Sequence, residues 1–228
     1  MTPMALARLL QLSSQALPIG GYSHSQGLES AIEHGIVKDE HSVLGWVLDV
    51  LEFSMKSFEI PWMLSVRAAW AAGDPAAIAS MNDEFLSTRE SAELRAAAVQ
   101  MGFSLRALLW VLPDFPADLA NTLRSIREPS LPCVWCAATT AWQIETRDAV
   151  MGYLWSWAEN QVLVAMKALP LGQSAGQRVL LKMGSSIAEF TSRMNPGVTG
   201  AGGISNFSPG LAILSSQHET QYSRLFRS

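Results

Sequence analysis

Charge is scarce in this sequence. Only 16% of its 228 residues are Asp, Glu, Lys or Arg, and 16 basic against 20 acidic side chains leave a formal net charge of −4. That balance creates no basic field to attract phosphate backbones, which argues against nucleic acid as a partner. Cysteine is nearly absent: Cys133 and Cys136 are the two present, too few to staple a domain of this size and consistent with a reducing compartment. A run of about 18 uninterrupted apolar residues is also missing. The nearest stretch, Ser130 to Ile144, is shorter and carries Thr139, Thr140 and Gln143, so no membrane span is expected. The first residues lack a charged segment followed by an apolar core and a small-residue cleavage site, so the expected location is the cytoplasm. Neither G-x-x-x-x-G-K-[ST] nor a strand-borne G-x-G-x-x-G occurs, leaving nucleotide binding by this chain without a motif.

What the sequence has is apolar residues, at 49% of the chain, with eight Trp and ten Met. This is enough for one sizeable core. It also fits a surface partly covered by another subunit, because aromatics and Met are enriched at interface cores. Apolar positions recur at helical spacing, as in Val43, Trp46, Val47, Val50 and Leu51, which share one helix face. Similar patterns run through Ile60 to Ala72, Pro75 to Ser87, Ser91 to Val111, Cys133 to Trp142, Ala149 to Lys167 and Ala175 to Phe190. Breaks fall at Gly73-Asp74, Leu112-Pro113, Glu128 to Pro132, Leu169-Pro170 and Asn195-Pro196-Gly197. Period-two alternation is absent. The expected architecture is all-α, a single bundle of about eight to ten helices over residues 1–194. Residues 195–210 (NPGVTGAGGISNFSPG) read as a flexible linker, and residues 211–228 as a tail.

Few constellations point to chemistry. Gly172-Gln173-Ser174-Ala175-Gly176 matches the G-x-S-x-G elbow of serine hydrolases, but an elbow needs a strand before it and an acid and a histidine after it. The competing reading is a turn at Pro170 to Gly172, with Ser174 and Gln177 as a capping box for the next helix. Cys133 and Cys136 have C-x-x-C spacing, yet His24, His34, His41 and His218 show no paired spacing that would complete a zinc site. Two cysteines packed as small hydrophobes is the simpler account. A metallochaperone using His24, His218 or the cysteines is the other reading. Single histidines without such spacing make poor nickel sites, so no resident metal is expected.

Three segments look built for contact. The run Ala16 to Glu29 is a turn rich in small polar groups, with Ser23 and Gln26 at capping-box spacing. Lys167 closes an apolar helix just before the Leu169-Pro170 break, where a cation meets the helix C-terminus favourably. The last residues, His218 to Ser228, carry Tyr222, Leu225 and Phe226 with Arg224 and Arg227 between them. That tail is either a frayed terminus or a segment held by another protein, disordered alone and ordered in a complex.

Together, S-x-A-L-P-I-G-G-Y-S-x-S-Q-G-L-E from Ser14, K-x-x-P-L-G-Q-x-x-x-Q from Lys167 and the terminal H-E-T-Q-Y-S-R-L-F-R-S resemble the urease accessory protein F family. The likeness covers essentially the full length. It implies an all-helical, dimeric protein without a catalytic centre or a stably bound cofactor. Such a protein binds accessory protein D (H in some organisms) and recruits the GTPase accessory protein G, and the complex docks on apo-urease. GTP hydrolysis is then coupled to nickel insertion, the metal being in transit through the assembly. By resemblance, GTPase control, either activation or a fidelity check, is expected on a surface including Lys167, and Gln173, Gln177, Ser23, Ser25 and Glu29 are expected to face the GTPase with it. Binding of D is expected through the tail, with Tyr222, Arg224, Leu225, Phe226 and Arg227 as its contacts. The cysteine pair has no counterpart in the resemblance.

Overall fold

The computed structural model describes residues 1–195 and 205–228. All regular structure among them is helical. In chain order the helices are α1 (Pro3–Ser13), α2 (Leu28–Glu33), α3 (Glu40–Val50), α4 (Ile60–Ala72), α5 (Pro75–Ser87), α6 (Ala92–Val111), α7 (Ala117–Ser125), α8 (Leu131–Ala141), α9 (Thr146–Ala168), α10 (Gln173–Arg193) and α11 (Pro209–His218). A π-helical stretch, Leu51–Glu59, joins α3 to α4, so that the backbone stays helical from Glu40 to Ala72. A single 3₁₀ turn, Gly21–Ser23, precedes α2.

Local sequence explains most of the boundaries. Asp39 caps α3 with its carboxylate on the Ser42 N–H while the Ser42 hydroxyl returns to the Asp39 N–H, a reciprocal capping box. Asp74 caps α5 and Ser91 caps α6. Gly73 ends α4 in the left-handed region at φ +64°, where glycine has no Cβ to clash. Two capping boxes expected from sequence do not form. Helix α2 starts behind Gly27, itself left-handed, without a side-chain cap. Helix α10 starts at Gln173, with Gly172 at its N-cap position and no side chain bonded there.

Helices α8 and α9 form the centre. The α8 segment Pro132 to Thr139 is buried throughout, as an apolar helix without a polar face must be. Helix α9 packs on α1, α2, α3, α8 and α10, while α4 and α6 flank α8. Leu154, Val162, Ala158 and Ala165 of α9 are fully buried. Its polar residues Asn160 and Gln161 are buried too, and both are directed at the turn that precedes α2.

Four helices, α1, α2, α7 and α11, lie outside the segments recognised by periodicity. Each is short or begins in Pro-containing sequence: Pro3 and Pro209 sit at helix starts, and Pro116 precedes α7. Of the expected linker, residues 196–204 lie outside the described residues. The remainder is anchored: the Ser205 N–H donates to the Ser57 carbonyl, Asn206 Nδ2 to the Thr88 carbonyl, and the Ser208 hydroxyl to the Phe53 carbonyl. The tail is likewise packed on the bundle. Helix α11 runs against α2 and α6.

Candidate functional site

Three segments distant in sequence meet at one end of α9. The first is the turn from Gly20 to Glu29. Gln26 and Gly27 take φ +53° and +86°, which folds the chain sharply into α2. Helix α9 fixes this turn from beneath: Asn160 donates to the His24 carbonyl at 3.0 Å, Gln161 to the Ser25 carbonyl at 3.3 Å, and the Trp157 indole to Gln26 Oε1 at 3.0 Å.

The second segment is the tail. Its Arg227 N–H donates to the Ser23 carbonyl at 2.8 Å, and the Gln26 N–H donates to the Ser228 carbonyl at 3.0 Å alongside the Ser25 N–H and hydroxyl. His24 Nδ1 lies 2.8 Å from the Ser228 hydroxyl. Glu29 is the hub, accepting from the Leu225 N–H at 2.6 Å and the Phe226 N–H at 3.0 Å. The His218 ring sits wholly buried between two carboxylates, 3.0 Å from Glu29 and 2.6 Å from Glu93. Arg224 closes on Glu93 at 2.7 Å. Phe226 is only 7% exposed, whereas Leu225 is 69% exposed and Tyr222 is wholly exposed.

The third segment is the end of α9. Lys167 Nζ stands 5.6 Å from the Tyr22 ring and 5.8 Å from the Phe226 ring, within cation–π range of both. The Lys167 charge, the exposed Tyr22 phenol and the tail therefore share one surface.

Beneath this surface lies a cavity of about 110 Å³, lined among others by Tyr22, Gln26, Met101, Trp157 and Asn160 and, deeper, by Glu59 and Tyr153. Glu59, on the π-helical stretch, accepts a hydrogen bond from the Tyr153 hydroxyl and lies 3.4 Å from Arg89. Burial pushes the Glu59 carboxyl above the usual carboxylate range, against the opposing pull of Arg89. Burial and the neighbouring Glu59 raise the Tyr153 phenol well above its ordinary value.

The structure thus brings Ser23, Ser25, Glu29 and Lys167 together with the tail. Gln173 and Gln177 are exposed on the first turns of α10, across the Leu169 to Gly172 connection from Lys167. Three expected contact residues do not face outward. Ser25 and Glu29 are buried because their polar atoms are taken up by the tail, and Phe226 is buried because it is the tail's apolar anchor. The tail is not a free arm.

Several participants carry no sequence signal of their own. Glu93, Asn160, Gln161 and Trp157 each sit in an ordinary helical pattern, and only the fold reveals what they bond. His24 and His218, weighed as metal ligands, instead bond Ser228 and the two glutamates. Among the described residues no group of three His, Cys, Asp or Glu side chains is placed to hold a metal ion. Cys133 and Cys136 are buried in α8; burial raises both thiols, that of Cys136 to about 12. Ser174 lies exposed in the first turn of α10, and the helix α9 rather than a strand leads into it. The nucleophile elbow has no support.

The UreF family matches residues 37–184. This chain belongs to the UreF family. The urease accessory protein UreF of Dechloromonas aromatica (strain RCB) is 50% identical over 228 residues, all of this chain and 99% of that protein. The UreF proteins of Azoarcus sp. (strain BH72) and Janthinobacterium sp. (strain Marseille) are 49% and 44% identical, each over at least 99% of this chain and 96% and 100% of their own lengths. The chain is therefore a urease accessory protein. Among the described residues no helix is long and apolar enough to cross a membrane.

Proposed function

We propose that this UreF protein is a non-catalytic adaptor of urease maturation. As a cytoplasmic homodimer it binds accessory protein D (H), recruits the GTPase accessory protein G, and couples GTP hydrolysis to nickel insertion into apo-urease. Nickel is cargo in transit and not a resident cofactor. The observation that carries the reading is the convergence of Tyr22, Lys167 and the tail on one surface. A cation over the exposed Tyr22 ring, together with the exposed Tyr222 and Leu225 of the tail, is the composition of a protein-docking patch.

In this reading Lys167, Gln173 and Gln177, with the rim of the Ser23 turn, face the GTPase. Tyr222, Arg224, Leu225 and Arg227 face accessory protein D. Ser25, Glu29 and Phe226 act one layer beneath by holding the tail in register. The test is co-purification of the full-length chain with its host's accessory proteins D and G. Lys167→Ala should keep D and lose G, and the double variant Tyr222→Ala/Leu225→Ala should lose D. Stoichiometric recovery of G with Lys167→Ala would overturn the GTPase assignment.

A further inference from the structure

The tail lies on the bundle as a bound peptide lies in a peptide-binding protein, held largely through its main chain. Two successive amides, of Leu225 and Phe226, are read by one carboxylate, Glu29. The Arg227 N–H meets the Ser23 carbonyl, and the Ser25 and Gln26 amides converge on the Ser228 carbonyl. Two adjacent amides turned the same way by the positive φ of Gln26 form a concave site for an oxygen. The segment bends at Leu225 and Phe226, which turns both amides toward Glu29 and leaves Leu225 and Arg227 exposed with Phe226 buried.

The seat is shaped by the body and not by its occupant. Asn160, Gln161 and Trp157 of α9 hold the carbonyls and side chain of the turn that forms it. Separating tail from seat breaks bonds between them and leaves that support intact.

We infer that this seat is a peptide-binding site in its own right, selective for a bent segment with one inward aromatic residue, and that the tail of a second copy of this chain enters it when the chain's own tail is out. A second copy presents the same main-chain pattern and the same Phe226, so the seat has no chemical means of telling the two apart. The chain's own tail prevails because tethering gives it an effective concentration of millimolar order. This inference stands on the seat geometry and is independent of which accessory proteins dock on the outer surface.

Two full-length variants break opposite halves. Glu29→Gln spoils the seat by turning an amide NH₂ toward tail donors. Phe226→Asp spoils the tail by replacing its buried ring, the tail's apolar anchor, with a short carboxylate that cannot fill that volume. Tryptic cleavage after Arg224, followed by mass spectrometry, reports whether the tail is seated. Glu29→Gln alone should be cut about tenfold faster than wild type, the effect of losing hydrogen bonds to a buried charge. Adding Phe226→Asp chain should restore slow cleavage of the Glu29→Gln tail in proportion to its concentration. A fluorescent peptide of residues 217–228 should bind the Phe226→Asp chain and be excluded from wild type. Wild-type helical circular dichroism is required of both variants, and Phe226→Ser replaces Phe226→Asp if that chain misfolds. The inference is overturned if the Glu29→Gln tail stays protected alone, if the mixture gives no protection, or if the peptide fails to bind.

Discussion

His24 is neutral in the folded protein because burial, helped by the Arg227 charge, lowers its pKa from 6.5 to about 4. The unfolded chain therefore binds a proton that the folded chain refuses between those values. Stability is present in full above about pH 6.5 and is lost as the pH falls toward 4, by at most about 3 kcal/mol. Urea unfolding at pH 7.5 and pH 4.5 should show this loss, and His24→Gln, which cannot titrate, should show a smaller one. The cysteines give a second prediction at this scale. With Cys133 and Cys136 buried and both thiols raised, the thiolate that reacts is scarce at neutral pH. A maleimide should leave the native protein unlabelled over hours and label both positions once the chain is unfolded in guanidinium. Rapid labelling without unfolding would show that α8 opens locally.

At the scale of elements, close approach is what the helices demand. A Cβ on Gly102 would sit 2.0 Å from the Pro129 carbonyl oxygen, where the chain enters α8. Gly102→Ala should force α6 away from that backbone and cost at least the 1–3 kcal/mol typical of an overpacked core, seen as a lower melting temperature. Gly152 of α9 faces Leu9 and Ser13 of α1 in the same manner, with Leu9 Cδ1 2.5 Å from the Cβ position. Most elements were legible from the order of residues. The α4 and α5 limits coincide with the periodic segments Ile60 to Ala72 and Pro75 to Ser87, because Gly73 and Asp74 supply a stop and a cap. The π-helical stretch was not legible, since its apolar residues Leu51, Met55 and Phe58 also satisfy α-helical spacing. The site was half legible. Tyr22, Lys167 and the tail stood out as motifs, while the inward turn of Glu29 depends on the tail bringing the Leu225 and Phe226 amides and the His218 ring to meet it. No local pattern encodes that.

Across the whole molecule, protection should be graded. Trp135, Cys136 and Leu154 lie in a core enclosed on all sides, so amides of α8 and central α9 should exchange only on global unfolding. The Leu225 and Phe226 amides, each resting on Glu29, should exchange through a smaller opening that releases the tail while the bundle persists. Equal protection of the two groups in hydrogen-exchange mass spectrometry would mean that tail and bundle form one cooperative unit. The His218 bond to Glu29 spans 189 positions of sequence, among the longest-range links in the fold. Contacts of that span are the costliest to close by chance and are made late in folding. A partner docking on the surface around Lys167, as proposed, would therefore engage only seats already filled by a tail. Under that proposal, unfinished or clipped chains with an empty seat would pass it by, and docking there would double as quality inspection.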